Sequence, residues 1–120
     1  VHGSDGLDEL TTTGPSYVAE LSNGEVTLKE VSPADVGIPL ASLEDLKGGT
    51  PGENAMAIRE LLDGREGAFR DIVLYGAAVA LHIAGKTPEL GDGVAIAAAA
   101  IDDGKAAECL SKLSSITRGS

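Results

Sequence analysis

Tryptophan is absent from this sequence, phenylalanine occurs once and tyrosine twice. So few flat rings leave little for unpaired bases to stack on. Basic residues are scarce as well: 9 Lys and Arg stand against 19 Asp and Glu, a formal net charge of −10. An acidic surface repels a phosphate backbone, which argues against nucleic-acid binding through a basic footprint. The same charge does not oppose a phosphate ligand bridged by a divalent cation. Cys109 is the lone cysteine, so no intrachain disulfide can form and a reduced, cytoplasmic protein is expected. Long apolar runs are missing too. The longest, Ile72 to Ala84, contains His82 and falls short of the roughly 20 residues of a membrane span. No membrane partner is expected. Val1-His2-Gly3 shows neither an initiator methionine nor a signal-peptide pattern, and the chain is expected to begin inside a longer protein.

What remains is enough for one domain in 120 residues. Composition shifts along it. Thr, Val, Gly and Pro dominate residues 1–50, which read as strands and loops; Ala, Leu, Ile and Glu dominate residues 51–117, which read as helices. Ser16 to Leu21 and Glu25 to Lys29 both alternate, with Tyr17, Ala19 and Leu21 on one side and Val26 and Leu28 on one side. Asn23-Gly24 between them tolerates the positive φ of a type I′ turn, so the segment predicts a β-hairpin. An isolated hairpin is marginal in water and needs a surface to lie on.

A short helical turn is expected at Ser32-Pro33-Ala34-Asp35, and Ser42-Leu43-Glu44-Asp45 resembles another helix start, ending at Gly48-Gly49. Thr50-Pro51-Gly52-Glu53 is a capping box, predicting a helix to Asp63 with Ala55, Ile58, Leu61 and Leu62 on one face. Ala68 to Ala84 is apolar nearly all round and predicts a buried helix. Thr87-Pro88-Glu89 is expected to open a third helix, reaching Asp102-Asp103. Lys105 to Ile116 is expected to form a fourth, with Ala106, Leu110 and Leu113 inward. One hairpin and these helices could barely cover a helix that is apolar on every side. Further strands and helices of a larger sheet are therefore expected.

The densest polar cluster is Val1-His2-Gly3-Ser4-Asp5-Gly6-Leu7-Asp8-Glu9-Leu10. Its glycines let the backbone turn sharply and approach a ligand. Adjacent carboxylates repel unless a cation lies between them, and hard oxygens in such a turn suit Mg²⁺. The spacing is not that of a calcium loop. From the residues alone, a solvated acidic turn and a divalent-cation site both stay open.

The order Val1-His2-Gly3-x-Asp5-Gly6-Leu7-Asp8-Glu9, the Gly14-Pro15 loop, the hairpin, Leu43 to Gly49 running into Glu53-Asn54-Ala55, Arg70-Asp71 through Ala77-Ala78, and Ala100-Ile101-Asp102-x-Gly104-Lys105-Ala106 resembles anthranilate phosphoribosyltransferases along essentially the whole sequence. It corresponds to about the last third of a full-length member. The resemblance implies an α/β fold, the carboxy-terminal part of a phosphoribosyltransferase or nucleoside phosphorylase-like domain, seen as a hairpin and about four helices. Residues 1–50 would be the metal-binding turn, hairpin and loops, and residues 51–120 the helices. The amino-terminal helical domain and first part of the α/β domain would lie outside this chain.

By position, the resemblance makes Asp8 and Glu9 the Mg²⁺-binding pair at the site of the phosphoribosyl donor, phosphoribosyl pyrophosphate (PRPP). The acceptor would be anthranilate, the pathway tryptophan biosynthesis and the full-length protein a homodimer. The family's glycine-rich donor loop, its Lys-His-Gly-Asn segment and its anthranilate-facing arginine have no counterpart here. The resemblance therefore assigns this chain no catalytic residue, and the isolated chain is expected to be inactive. Alternatives are a differently specific or non-catalytic relative of the same fold, a nucleoside phosphorylase, or a helical interaction module.

Other polar residues have plainer readings. His2 is expected to orient the turn, His82 to be a core or interface histidine and Cys109 to be a small buried hydrophobe. Lys47-Gly48-Gly49 is expected to be a structural turn, and Asp102-Asp103 a solvated helix end.

Overall fold

A computed structural model describes residues 1–119. Three strands, β1 (His2–Gly3), β2 (Ser16–Ser22) and β3 (Glu25–Val31), form an antiparallel sheet in the order β1-β2-β3. The hairpin is as expected. Asn23 and Gly24 carry positive φ of 52° and 83°, and Ser22 pairs with Glu25 across the turn. The two-residue β1 is an addition, pairing His2 with Tyr17 and Gly3 with Ser16.

Two 3₁₀ turns follow, Pro33–Val36 and Leu43–Leu46. Four helices follow among the described residues: α1 (Pro51–Leu62), α2 (Ala68–Ile83), α3 (Leu90–Asp102) and α4 (Lys105–Thr117). The α1 capping box forms as its sequence requires: Thr50 Oγ1 accepts the Glu53 N–H at 3.4 Å, and Glu53 Oε2 accepts the Thr50 N–H at 2.7 Å. The α/β architecture inferred from the sequence is therefore the one observed. No helix among the described residues is long and apolar enough to cross a membrane.

Helix α2 is shared by two cores. Leu74 packs with Leu61, Ala97 and Ile101, joining α1, α2 and α3. The next residue, Tyr75, is fully buried against Leu10 and Ile38, with Val18 and Val31 of the hairpin at the edge. This second core ties the sheet and the loop after β1 to the helices. Burial raises the Tyr75 phenol to about 12, and nearby Asp35 adds to the effect.

Several expectations are corrected. Helix α3 begins at Leu90, with Glu89 at its N-cap, not at Thr87. Thr87 is instead buried in the preceding turn, where its carbonyl lies 3.2 Å from His82 Nδ1. Helix α4 buries no residue fully: Ala106 packs beside the first core, but Leu110 and Leu113 are exposed, and so is Cys109. Within α1, Leu61 is the buried residue and Ile58 is exposed. Helix α2, by contrast, behaves as expected of a helix that these elements could barely cover: one face is packed, while Phe69, Val73 and Ile83 are exposed. The hairpin's alternating apolar side points away from the core, with Leu28 83% exposed. The opposite side, through Val18 and Val31, does the packing.

Asp102 is also more than a solvated helix end. It accepts Arg70 Nη2 on both carboxylate oxygens, at 2.8 and 3.0 Å, and the Arg70 side chain is only 10% exposed. Removing one member of a buried pair costs about 3–5 kcal/mol, and an exposed pair contributes about 0–1 kcal/mol. With one partner buried and the other half exposed, Asp102→Ala is expected to cost about 2 kcal/mol, between these limits. Asp103, whose partner Lys105 is exposed at 3.2 Å, is the contrast: Asp103→Ala should change stability by less than about 0.5 kcal/mol. Urea midpoints of the two variants check the difference.

Candidate functional site

The acidic segment leaves the sheet at β1 and re-enters the core at Leu10. Its path is fixed by its own backbone. The Gly3 N–H donates to the Leu7 carbonyl at 2.9 Å and the Gly6 N–H to the Gly3 carbonyl at 3.0 Å. Gly6 has φ of 96°, a conformation that a side chain would strain. The Ser4 N–H donates to the Pro15 carbonyl at 3.0 Å, tying the turn to the loop that enters β2.

The three carboxylates of this turn have separate fates. Asp5 faces inward and accepts hydrogen bonds from the Thr11 and Thr13 hydroxyls and the Leu7 N–H. Desolvation by itself would raise the Asp5 carboxyl, but these bonds outweigh it and hold the group below the usual 3.8. Asp8 and Glu9, in contrast, are exposed, and neither makes a hydrogen bond or ion pair with another described residue. Asp5 is thus committed to the protein, while the two expected metal ligands keep their oxygens.

That donor set fits Mg²⁺. Hard carboxylate oxygens suit the ion, which takes one or two of them and fills its remaining positions with water and ligand phosphates. Among the described residues no group of three or more His, Cys, Asp or Glu could form an all-protein cage. Glu9 also borders a cleft of about 430 Å³ with Leu7, Leu43, Lys47 and Phe69. Asp8 does not line it.

The remaining polar residues are placed as follows. Lys47-Gly48-Gly49 is a structural turn: Asn54 accepts the Gly49 N–H at 2.8 Å and donates to its carbonyl at 3.2 Å. Lys47 itself lies 3.7 Å from Glu44. His2 is exposed and its ring hydrogen-bonds no described residue, so the imidazole does not orient the turn. Sequence reasoning missed the Asp5 network. Its signal was Thr11-Thr12-Thr13: three consecutive hydroxyls beside an acidic turn, of which Thr11 and Thr12 are fully buried.

Known proteins resemble the chain along almost its whole length. The profile of the glycosyl transferase family, a/b domain, matches residues 1–107. The anthranilate phosphoribosyltransferase of Parvibaculum lavamentivorans is 59% identical over 119 residues, covering 99% of this chain and 35% of that protein. The crystal structure of the Thermus thermophilus anthranilate phosphoribosyltransferase superposes with a TM-score of 0.86 at 39% identity, covering 98% of this chain and 35% of that one. The Saccharomyces cerevisiae enzyme, solved in complex with PRPP and Mg, shares the fold at a TM-score of 0.83 and 23% identity, over 92% of this chain and 32% of its own. The chain spans about a third of the length of the curated relatives it matches. With the profile match running from the acidic turn into the last helix, and the sheet and helices superposing on a solved relative, the chain belongs to the glycosyl transferase family, within its α/β domain.

Proposed function

We propose that this chain is the carboxy-terminal part of the donor-binding α/β domain of an anthranilate phosphoribosyltransferase acting in tryptophan biosynthesis. The observation that carries the reading is the exposed, unbonded Asp8-Glu9 pair on a turn that lies within the 59% identical match. The anthranilate nitrogen would attack the ribose anomeric carbon of PRPP as the bond to pyrophosphate breaks. The nitrogen then loses a proton, giving N-(5-phosphoribosyl)anthranilate and pyrophosphate. Asp8 and Glu9 would hold Mg²⁺, which when bound neutralises charge growing on the departing pyrophosphate.

The work of this chain is to present those carboxylates on a fixed turn. The isolated 120 residues should not turn over, because one carboxylate pair cannot hold two substrates in register. The parent protein is read as a cytoplasmic homodimer.

The test is the full-length parent with anthranilate, PRPP and Mg²⁺. Anthranilate fluorescence should fall as pyrophosphate appears, and a chelator should stop both. Unchanged fluorescence with pure, folded parent overturns the reading.

A further inference from the structure

The inward carboxylate, Asp5, links the acidic turn to the buried start of β2. Its Oδ2 accepts the hydroxyls of Thr11 at 2.6 Å and Thr13 at 2.7 Å, and its Oδ1 accepts the Leu7 N–H at 3.1 Å. Thr11 is anchored in turn: its N–H donates to Ser16 Oγ at 2.9 Å, and its hydroxyl accepts the Thr13 N–H at 3.0 Å. Thr11 and Ser16 are fully buried, and Ser16 is the first residue of β2. Gly3 leaves the space this arrangement needs, since a Cβ there would lie 2.6 Å from Asp5 Oδ1 and 3.1 Å from Thr11 Cβ. Leu7 is therefore held at both backbone groups, its N–H by Asp5 and its carbonyl by the Gly3 N–H at 2.9 Å. Asp8 and Glu9 follow it immediately.

We infer that Asp5, acting with Thr11 and Thr13, is a positioning residue that sets where Asp8 and Glu9 present their carboxylates to a divalent cation. The inference rests on the reading of Asp8 and Glu9 as the metal pair. A cation held by two neighbouring loop carboxylates gains little if the loop must first be ordered, because that ordering costs conformational entropy. Groups that hydrogen-bond the ligand-bearing segment remove this cost in advance. An ionised carboxylate is also a stronger acceptor for two hydroxyls than an amide would be.

The experiment uses the full-length parent and its Asp5→Asn, Thr13→Val and Thr13→Ser variants. Mn²⁺ alone is titrated and followed by the free-ion electron paramagnetic resonance signal, which needs no turnover. Asp5→Asn and Thr13→Val should weaken Mn²⁺ binding by about 10-fold, the lower end of what loss of a ligand's supporting partner costs. Thr13→Ser, which keeps the hydroxyl, should bind as the parent does. In steady state the KM for PRPP should rise while that for anthranilate stays, whereas partial unfolding would lower kcat alone. Parent-like Mn²⁺ binding by Asp5→Asn and Thr13→Val overturns the inference, as does a Thr13→Ser variant as weak as Thr13→Val. If Asp5→Asn fails to fold, Thr13→Val at its half-buried position decides. Asp8→Ala/Glu9→Ala in the same titration separates the two readings: unchanged Mn²⁺ binding there means that the metal pair itself is misassigned, and the positioning role falls with it.

Discussion

Gly93→Ala is expected to destabilise the protein by about 2 kcal/mol, the net of overpacking and helix propensity. Gly93 lies in α3 where that helix crosses α2. A Cβ at this position would stand 2.9 Å from both the Cα and the carbonyl oxygen of Ala78, and 3.0 Å from its Cβ. Ala78 is itself completely buried. Nothing at that contact is the end of a flexible chain that could rotate aside, so the helices must separate. The interface they share carries Leu74, Ala97 and Ile101, and separation loosens all three.

Overpacking of this kind costs about 1–3 kcal/mol, and a backbone contact belongs at the upper end. Alanine regains about 1 kcal/mol over glycine in a helix interior. Gly91 isolates the second effect. It sits in the same helix, exposed, and apart from its chain neighbours and the helix's own backbone nothing lies within 4 Å of where its Cβ would be. Gly91→Ala should be neutral or stabilising by up to about 1 kcal/mol. Calorimetric Tm values of the two variants should therefore move apart, Gly93→Ala downward. Parallel shifts would mean that the close approach of α2 and α3 does not control stability.

What the sequence made legible was whatever a few neighbouring residues decide. Asn23-Gly24 and its alternating flanks specify a hairpin locally, and Thr50 with Glu53 closes its own cap. Glycines at positions 64, 85 and 104 end helices in the positive-φ conformation they alone adopt cheaply. Contacts distant in sequence were illegible. Arg70 meets Asp102 across 32 positions, and the short β1 exists only because β2 offers it an edge. The same limit explains why the outward direction of the hairpin's apolar side was not legible. Alternation shows which residues share a side, as Tyr17, Ala19, Leu21, Val26 and Leu28 do, but not which side meets the core. Helix α4 misleads for a related reason: a stripe at helical spacing reads as inward, yet Leu110 and Leu113 are exposed.

The acidic turn was legible to the same depth. Residue type marked Asp8 and Glu9 as a possible cation pair, and the resemblance alone gave them a role. The spacing could not show that Asp5, three positions earlier, is consumed by Thr11 and Thr13. That division depends on a loop folding back over the turn, with Ala41 N–H donating to the Thr12 carbonyl at 2.9 Å behind it.

Asp8→Ala/Glu9→Ala in the full-length parent is expected to lower kcat by about 10²–10³-fold, the usual effect of removing a preorganised group that stabilises growing charge. On the proposed reading the loss would concern the departing pyrophosphate, where negative charge would increase as the bond to ribose breaks. Without the two carboxylates, a divalent cation still binds pyrophosphate in solution but is no longer fixed relative to the ribose carbon, and positional fixing accounts for much of a catalytic group's effect. Either single alanine should cost less, since the ion can keep one carboxylate and replace the other with water.

Stability should behave differently. Asp8 and Glu9 are exposed and bonded to no described residue, and this chain carries a net charge of −10, so removing two negative charges should leave Tm unchanged or slightly higher. A large fall in kcat at constant Tm would assign the pair to chemistry. Equal activity in variant and parent would keep the transferase and discard the metal assignment. A fall in Tm matching the loss of activity would turn the pair into a structural feature of the turn, against the exposure seen here.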